Sequence, residues 1–124
     1  MTSHLAVEGG RIAYDVWGDS GPLIVLAPSI GDVRAEYRLV APSLAAAGYR
    51  VAMMDLRGHG ESSTGWTEYT PESLGRDMLA LVRELGGEPA VLAGTSMAAA
   101  SAVWAAVEAP ESVRALLLLS LIHI

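Results

Sequence analysis

Short β-rich runs alternate along the chain with longer helical patterns, the order that a mainly parallel sheet with helices on both faces requires. Leu5 to Val7 and Arg11 to Trp17 flank the turn dipeptide Gly9-Gly10 and predict an opening antiparallel hairpin. After Gly21-Pro22, every position from Leu23 to Ala27 is apolar. Such a run suits a strand buried on both faces, in mid-sheet. From Ala35 to Ala47 the residues Tyr37, Val40, Leu44 and Ala47 recur at helical spacing, with Gly48 as a C-terminal cap and Pro42 beginning or kinking a turn. Tyr49 to Met54 predicts a second buried strand.

The segment after Thr70 has the clearest helical signature. Thr70 is a capping residue, Pro71 fits the first position, and Leu74, Met78, Leu81, Val82 and Leu85 share one face before Gly86-Gly87. Ala90 to Ala93 predicts a strand, Met97 to Ala109 an alanine-rich helix ended by Pro110, and Val113 to Leu119 a further apolar strand. No internal repeat, low-complexity tract or interdomain linker interrupts this α/β order.

With 124 residues, 52% of them hydrophobic and 18% charged, the chain has the size and composition of one globular domain with a real core. Its net charge of -6 at pH 7 repels phosphate backbones and anionic membranes, so neither nucleic acid nor membrane is expected as a partner. All basic residues are arginines. Without lysine there is no phosphate-loop lysine and no Schiff base, pyridoxal phosphate included. Without cysteine there is no disulfide, thiolate metal site or thiol nucleophile. The start, Met1-Thr2-Ser3-His4, lacks the features of a secretory signal, and no apolar run approaches the ~20 residues that span a bilayer. These features predict a soluble, cytoplasmic chain with no cofactor.

Gly94-Thr95-Ser96-Met97-Ala98 stands between a predicted strand and a predicted helix, the context in which a nucleophilic serine is presented on a sharp turn. The residues two before and two after such a serine must be small, and Gly94 and Ala98 are. The helix start would favour an oxyanion, with the Met97 N–H as donor. Serine is also a common helix cap, so an ordinary cap at Ser96 is the alternative. Ala27-Pro28-Ser29-Ile30-Gly31-Asp32 follows the first buried strand, where a second oxyanion amide is required, and the Ile30 N–H is the candidate. A plain surface turn would read the same way locally.

A third element, Asp55-Leu56-Arg57-Gly58-His59-Gly60-Glu61-Ser62, follows the next strand. Its two glycines permit tight turns, but Ser63 stands where a dinucleotide fingerprint needs a third glycine. Asp55 and Arg57 are expected to form a structural ion pair. His59 is read as a hydrogen-bonding structural residue rather than a general base.

In this order and spacing, the three elements resemble the α/β-hydrolase family across Arg11 to Leu119. The resemblance implies a mostly parallel sheet with helices on both faces, here truncated after the sixth strand. It implies Ser96 as nucleophile and Met97 and Ile30 as oxyanion amides, and the Asp55 to Ser62 run matches the family's D-x-R-G-x-G-x-S segment. Pro28-Ser29 stands where many members have His-Gly, and Ala98 where most have glycine. Members that form alkyl-enzyme esters, such as haloalkane dehalogenases and epoxide hydrolases, carry aspartate at the position of Ser96.

In this fold the acid and the histidine of the triad follow the serine, on loops beyond the sixth strand. After Ser96 the acids are only Glu108 and Glu111, at the far end of the helix, and the one later histidine is His123. None is in place to complete a triad. Ser120-Leu121-Ile122-His123-Ile124 prolongs an apolar strand past the ~5 to 6 residues typical of one and resembles translated sequencing-adapter sequence. Residues 1–119 are therefore expected to be the N-terminal half of a hydrolase core and 120–124 a non-native tail.

Three functions are open to such a chain. It could supply the nucleophile of a serine hydrolase acting on a small ester, lactone, thioester or similar acyl substrate. It could use the fold for binding or scaffolding without catalysis. A nucleotide-binding doubly wound domain would need a phosphate-cradling glycine loop after its first strand, and none is there.

Overall fold

Gly9, at φ 93°, adopts a backbone conformation open mainly to glycine and so turns the chain between β1 (Ser3–Val7) and β2 (Gly10–Trp17), which pair antiparallel. The remaining strands are β3 (Leu23–Ala27), β4 (Arg50–Met54), β5 (Ala90–Thr95) and β6 (Val113–Leu119). They form one mixed sheet in the order β1-β2-β4-β3-β5-β6, with β4, β3, β5 and β6 parallel. All five residues of β3 are buried, as its unbroken apolar run predicts for a central strand. The structure is a computed structural model and describes residues 2–119. The expected tail at 120–124, with His123, lies outside the described residues.

Period-two alternation divides the core between the two faces of the sheet. Leu23, Val25 and Ala27 face one side with Met54 and Leu92, under α2 (Pro71–Glu84) and α3 (Met97–Glu108). Ile24 and Leu26 face the other with Val51, Met53 and Ala93, against Tyr37 and Ala41. α2 begins as its sequence predicts. Thr70 Oγ1 accepts from Ser73 N at 3.1 Å, and Ser73 Oγ accepts from Thr70 N at 2.9 Å. This reciprocal box satisfies two donors at the helix start. A Cβ on Gly75 would lie 2.9 Å from the Ser101 carbonyl oxygen, so glycine there lets α2 and α3 pack closely.

Two expectations need correction. The single helix expected over 35–47 is instead a 3-10 turn, Arg34–Tyr37, followed by the short α1 (Val40–Ala46). Its buried residues are Tyr37 and Ala41, while Val40 and Ala47 are exposed. Pro42, in the first turn of α1, sits where a missing N–H costs nothing. The break arises because Asp55 holds the backbone N–H of Arg34 at 2.7 Å and so fixes where the 3-10 turn begins.

The expected Asp55–Arg57 ion pair does not form. Asp55 pairs with the Arg34 guanidinium, whereas Arg57 makes a two-pronged pair with Asp77 of α2, both bonds 2.8 Å long. The Arg57 guanidinium also lies 4.1 Å from the centre of the Trp66 ring. Burial raises the Asp77 carboxyl pKa, and the hydrogen bonds and charge of Arg57 oppose that rise.

Asp77→Asn would leave the Arg57 charge buried without its counter-charge. It should destabilise the chain by about 3–5 kcal/mol, read as a lowered urea midpoint at unchanged slope. The other outcome of the architecture concerns β6, whose outer edge has no partner strand among the described residues. Leu117 and Leu119 there are 47% and 44% exposed. An apolar open edge recruits other chains, so the isolated chain should sediment as concentration-dependent oligomers rather than a monodisperse monomer.

Candidate active site

β5 ends at Thr95 and α3 starts at Met97, so a single residue, Ser96, turns the chain from strand to helix. Its φ of 61° and ψ of −120° make it the one non-glycine residue of positive φ among the described residues. A conformation of that kind costs on the order of 1–3 kcal/mol and persists only where the surroundings enforce it. They do so at two points. Gly94 approaches α3 so closely that a Cβ there would run into the Ala98 carbonyl and sit 2.7 Å from Ala99 N. The Ser96 N–H donates to Leu119 O at 2.9 Å, which ties the turn to β6. Ala98 is fully buried at the crossing; a small residue at each of the two positions is what the sequence requires.

The ordinary-cap alternative for Ser96 fails on geometry. A capping residue is extended and its side chain accepts a hydrogen bond from the first turn. Thr70, at φ −120° and ψ 160°, does both. Ser96 does neither, and its side chain makes no cap hydrogen bond. The residue is half-buried, and among the described residues its hydroxyl is spent on no capping bond. Met97 is the first residue of α3, where a backbone N–H has no intrahelical partner and carries the positive end of the helix dipole.

Ile30 lies in a tight turn closed by Asp32 N donating to Ser29 O at 3.0 Å, with Gly31 at φ 84°. Positive φ at the third residue is what a type II turn demands. The turn is on the surface, with Ile30 52% exposed, but its lead-in residue Pro28 is buried. Ala27 stands opposite Gly94 in the β3–β5 register. The two chains therefore leave the sheet side by side at its C-terminal edge, one into Pro28–Asp32 and the other into Ser96–Met97. Ligands of open α/β sheets bind in the crevice at this edge.

His59 keeps a structural place. Its Nδ1 bonds Arg57 O at 3.0 Å, in the loop after β4. β4 is separated from β5 by β3, which puts that loop roughly two strand spacings, about 10 Å, from the elbow. Glu108 closes the far end of α3. A cavity of about 670 Å³ lies elsewhere, lined by Asp15, Trp17, Arg34, Asp55 and Glu61 among others, and Ser96 does not border it. Among the described residues no group of three or more His, Cys, Asp or Glu side chains could hold a metal ion, and no helix is long and apolar enough to cross a membrane.

Sequence reasoning missed the polar roles of Glu36 and Tyr37. Glu36 Oε1 accepts from the Ser29 N–H at 3.2 Å. Tyr37, expected only as an apolar helix-face residue, donates its hydroxyl to Ala27 O at 2.9 Å and bonds the Thr95 hydroxyl. The last contact spans 58 residues, and no local pattern announces it.

Comparison with known proteins adds the following. The family model described as alpha/beta hydrolase fold matches residues 22–123. The chain is 35% identical over 113 residues to bifunctional epoxide hydrolase 2 of Sus scrofa, covering 90% of this chain and 20% of that protein. It is 33% identical over 100 residues to 3-oxoadipate enol-lactonase 1 of Acinetobacter baylyi, covering 78% of this chain and 36% of the relative. A solved hydrolase from Pseudomonas aeruginosa superposes with a TM-score of 0.87 at 34% identity, covering 94% of this chain and 44% of that one. The chain thus spans less than half the length of each.

Backbone strain at Ser96 is open to measurement. Ser96→Gly removes the side chain that makes φ 61° costly, whereas Ser96→Ala keeps a Cβ in the same conformation. The glycine variant should be the more stable of the two by about 1 kcal/mol in urea denaturation. Equal stabilities would mean that the turn is unstrained.

Proposed function

The chain belongs to the α/β-hydrolase fold family, and on that premise we propose that it supplies the nucleophile and oxyanion site of a serine hydrolase acting on an ester, lactone, thioester or similar acyl substrate. The observation that carries this reading is the strained Ser96, whose hydroxyl is spent on no capping bond. A fold that holds a serine at positive φ without using its hydroxyl as a helix cap gains no stability from that conformation. Serine rather than aspartate at the turn favours acyl chemistry over the alkyl-enzyme route, although an epoxide hydrolase is among the similar proteins.

In the proposed mechanism Ser96 Oγ attacks the substrate carbonyl carbon while a histidine takes its proton. The carbonyl oxygen becomes an oxyanion received by the N–H groups of Met97 and Ile30. Collapse expels the alcohol, enol or thiol, protonated by the same histidine, and leaves an acyl group on Ser96. Water then repeats the sequence in reverse roles and releases the acid. In this reading the histidine and its orienting acid are supplied from outside residues 1–119, which contribute the N-terminal half of the catalytic domain. No cofactor enters. The acidic, cysteine-free chain accords with a cytoplasmic enzyme of small-molecule substrates, without nucleic-acid or membrane partners.

In the full-length protein Ser96 should react with a fluorophosphonate probe. Ser96→Ala should abolish labelling and lower ester turnover by several orders of magnitude, while the 124-residue chain alone should not turn over a p-nitrophenyl ester. Labelling that survives Ser96→Ala, or disappears instead with Ser29→Ala, would assign the nucleophile elsewhere. A folded full-length protein that neither labels nor hydrolyses would favour a binding or scaffold role.

A further inference from the structure

The two amides proposed to receive the oxyanion come from different segments, so their spacing must be set by something that touches both. Tyr37 does. It is 4% exposed, and its hydroxyl contacts the last residue of β3, Ala27, and the residue before the nucleophile, Thr95. The direction of the protons follows from counting donors. A phenol has one proton, and Tyr37 donates it to the Ala27 carbonyl at 2.9 Å, an acceptor only. The Thr95 hydroxyl must then donate to the Tyr37 oxygen. The result is a directed chain, Thr95 to Tyr37 to Ala27, in which each bond polarises the next. Burial pushes the Tyr37 phenol up to about 12, against the opposing effect of the Thr95 hydrogen bond, so the chain keeps its proton throughout the neutral range.

We propose that Tyr37 is the positioning residue of the oxyanion site, bolting the Thr95-Ser96-Met97 turn to the Ala27-to-Ile30 loop so that the Met97 and Ile30 amides stay at a fixed separation. This rests on the reading of Ser96 as nucleophile. Three further contacts make the bolt specific to the loop. The Ser29 N–H is held by Glu36, the residue before Tyr37, at 3.2 Å. Asp32 N closes the turn on Ser29 O at 3.0 Å. Arg34, at the start of the same 3-10 turn, is anchored on Asp55 through its backbone N–H at 2.7 Å and through its guanidinium. Tyr37 therefore moves with a braced element and not with the exposed loop it positions. A misplacement of about 1 Å in a catalytic group costs as much as 100-fold in rate, while substrate that binds elsewhere in the crevice feels it little.

The test compares Tyr37→Phe, Thr95→Val, the double variant and Thr95→Ser in the full-length protein. Each is measured for kcat and KM on a p-nitrophenyl ester, for inhibition by an alkyl boronic acid that mimics the tetrahedral intermediate, and for its urea midpoint. Tyr37→Phe and Thr95→Val should each lower kcat by about 10- to 100-fold and weaken the boronic acid in parallel, with KM changed less than about twofold. The double variant should lose no more than the worse single one, because either change breaks the same chain. Thr95→Ser, which keeps the hydroxyl, should recover most of the loss. Unchanged kcat in folded Tyr37→Phe or Thr95→Val overturns the proposal, as does a fall in kcat that only tracks the folded fraction. If Tyr37→Phe does not fold, the Thr95→Val and Thr95→Ser pair decides alone. Fluorophosphonate labelling of the parent protein separates the two layers: no labelling overturns both, whereas labelling with unaltered variants overturns only the role of Tyr37.

Discussion

A single buried carboxylate holds the loops of this molecule in place. Asp55, fully buried at the end of β4, accepts from the backbone N–H of Arg34 at 2.7 Å, from the Arg34 guanidinium and from the Glu61 N–H at 2.9 Å. Removing such a charge from water is costly unless its oxygens are fully paired. The pairing fixes two segments at once. The glycine turn Gly58–Gly60 closes round it so tightly that a Cβ on Gly60, at φ 51°, would run into Asp55 Oδ2, and even the farther oxygen, Oδ1, would lie only 2.8 Å away. The Arg34–Tyr37 turn has no side-chain cap of its own on Val33, and Asp55 satisfies its first N–H from 21 residues away. From that turn, Glu36 and Tyr37 reach the loop after β3 and the end of β5. The order of dependence therefore runs from a buried acid, through one 3-10 turn, to the proposed oxyanion site.

Charge on the two sides of the sheet is handled separately. Arg34 gathers Asp15, Asp55 and Glu61. Burial alone would lower its pKa, but hydrogen bonds to Glu61 and Asp15 and the charge of Asp55 raise it instead. Arg57 turns the other way, to Asp77 and the face of Trp66, and locks the glycine turn to α2. Two arginines with α1 and β4 between them thus pin the segment after β4 from both sides. Arginine suits this role because its planar fork serves several acceptors at fixed angles, and the chain uses it for every basic position.

What the sequence made legible was whatever depends on periodicity and local chemistry. The unbroken apolar run 23–27 marks a central strand, the Thr70-Pro71 start marks α2, and Gly94 and Ala98 around Ser96 mark the close crossing of β5 and α3. What it hid was contact at long range. Asp55 and Arg57 are neighbours of opposite charge, which suggests a pair, yet their partners lie 21 and 20 residues off on opposite sides. The helix read over 35–47 broke for the same reason, since the Asp55 anchor sets a start that the apolar spacing of 37, 40 and 44 does not contain. Tyr37 was recognisable as a core residue by its spacing, but nothing in the sequence says where a phenol hydroxyl will end.

The two proposed oxyanion donors are held by different means, and that asymmetry shapes the site. Met97 is fixed by backbone alone: the strand register, the Gly94 crossing and the bond from Ser96 N to Leu119 O leave the helix start no freedom. Those constraints also carry the strain at Ser96, which can persist because strands on both sides of β5 resist its relief. Ile30 has no such frame. It stands exposed in a four-residue turn closed by its own Asp32 N to Ser29 O bond and tied to the rest of the molecule by side chains of one neighbouring element. A site of this kind keeps one donor rigid through the fold and tunes the other through side chains. Under the proposed mechanism, sequence change at Glu36 or Tyr37 thus alters the reaction without touching the sheet, whereas change at Gly94 or Ala98 must first disturb the crossing that presents the serine.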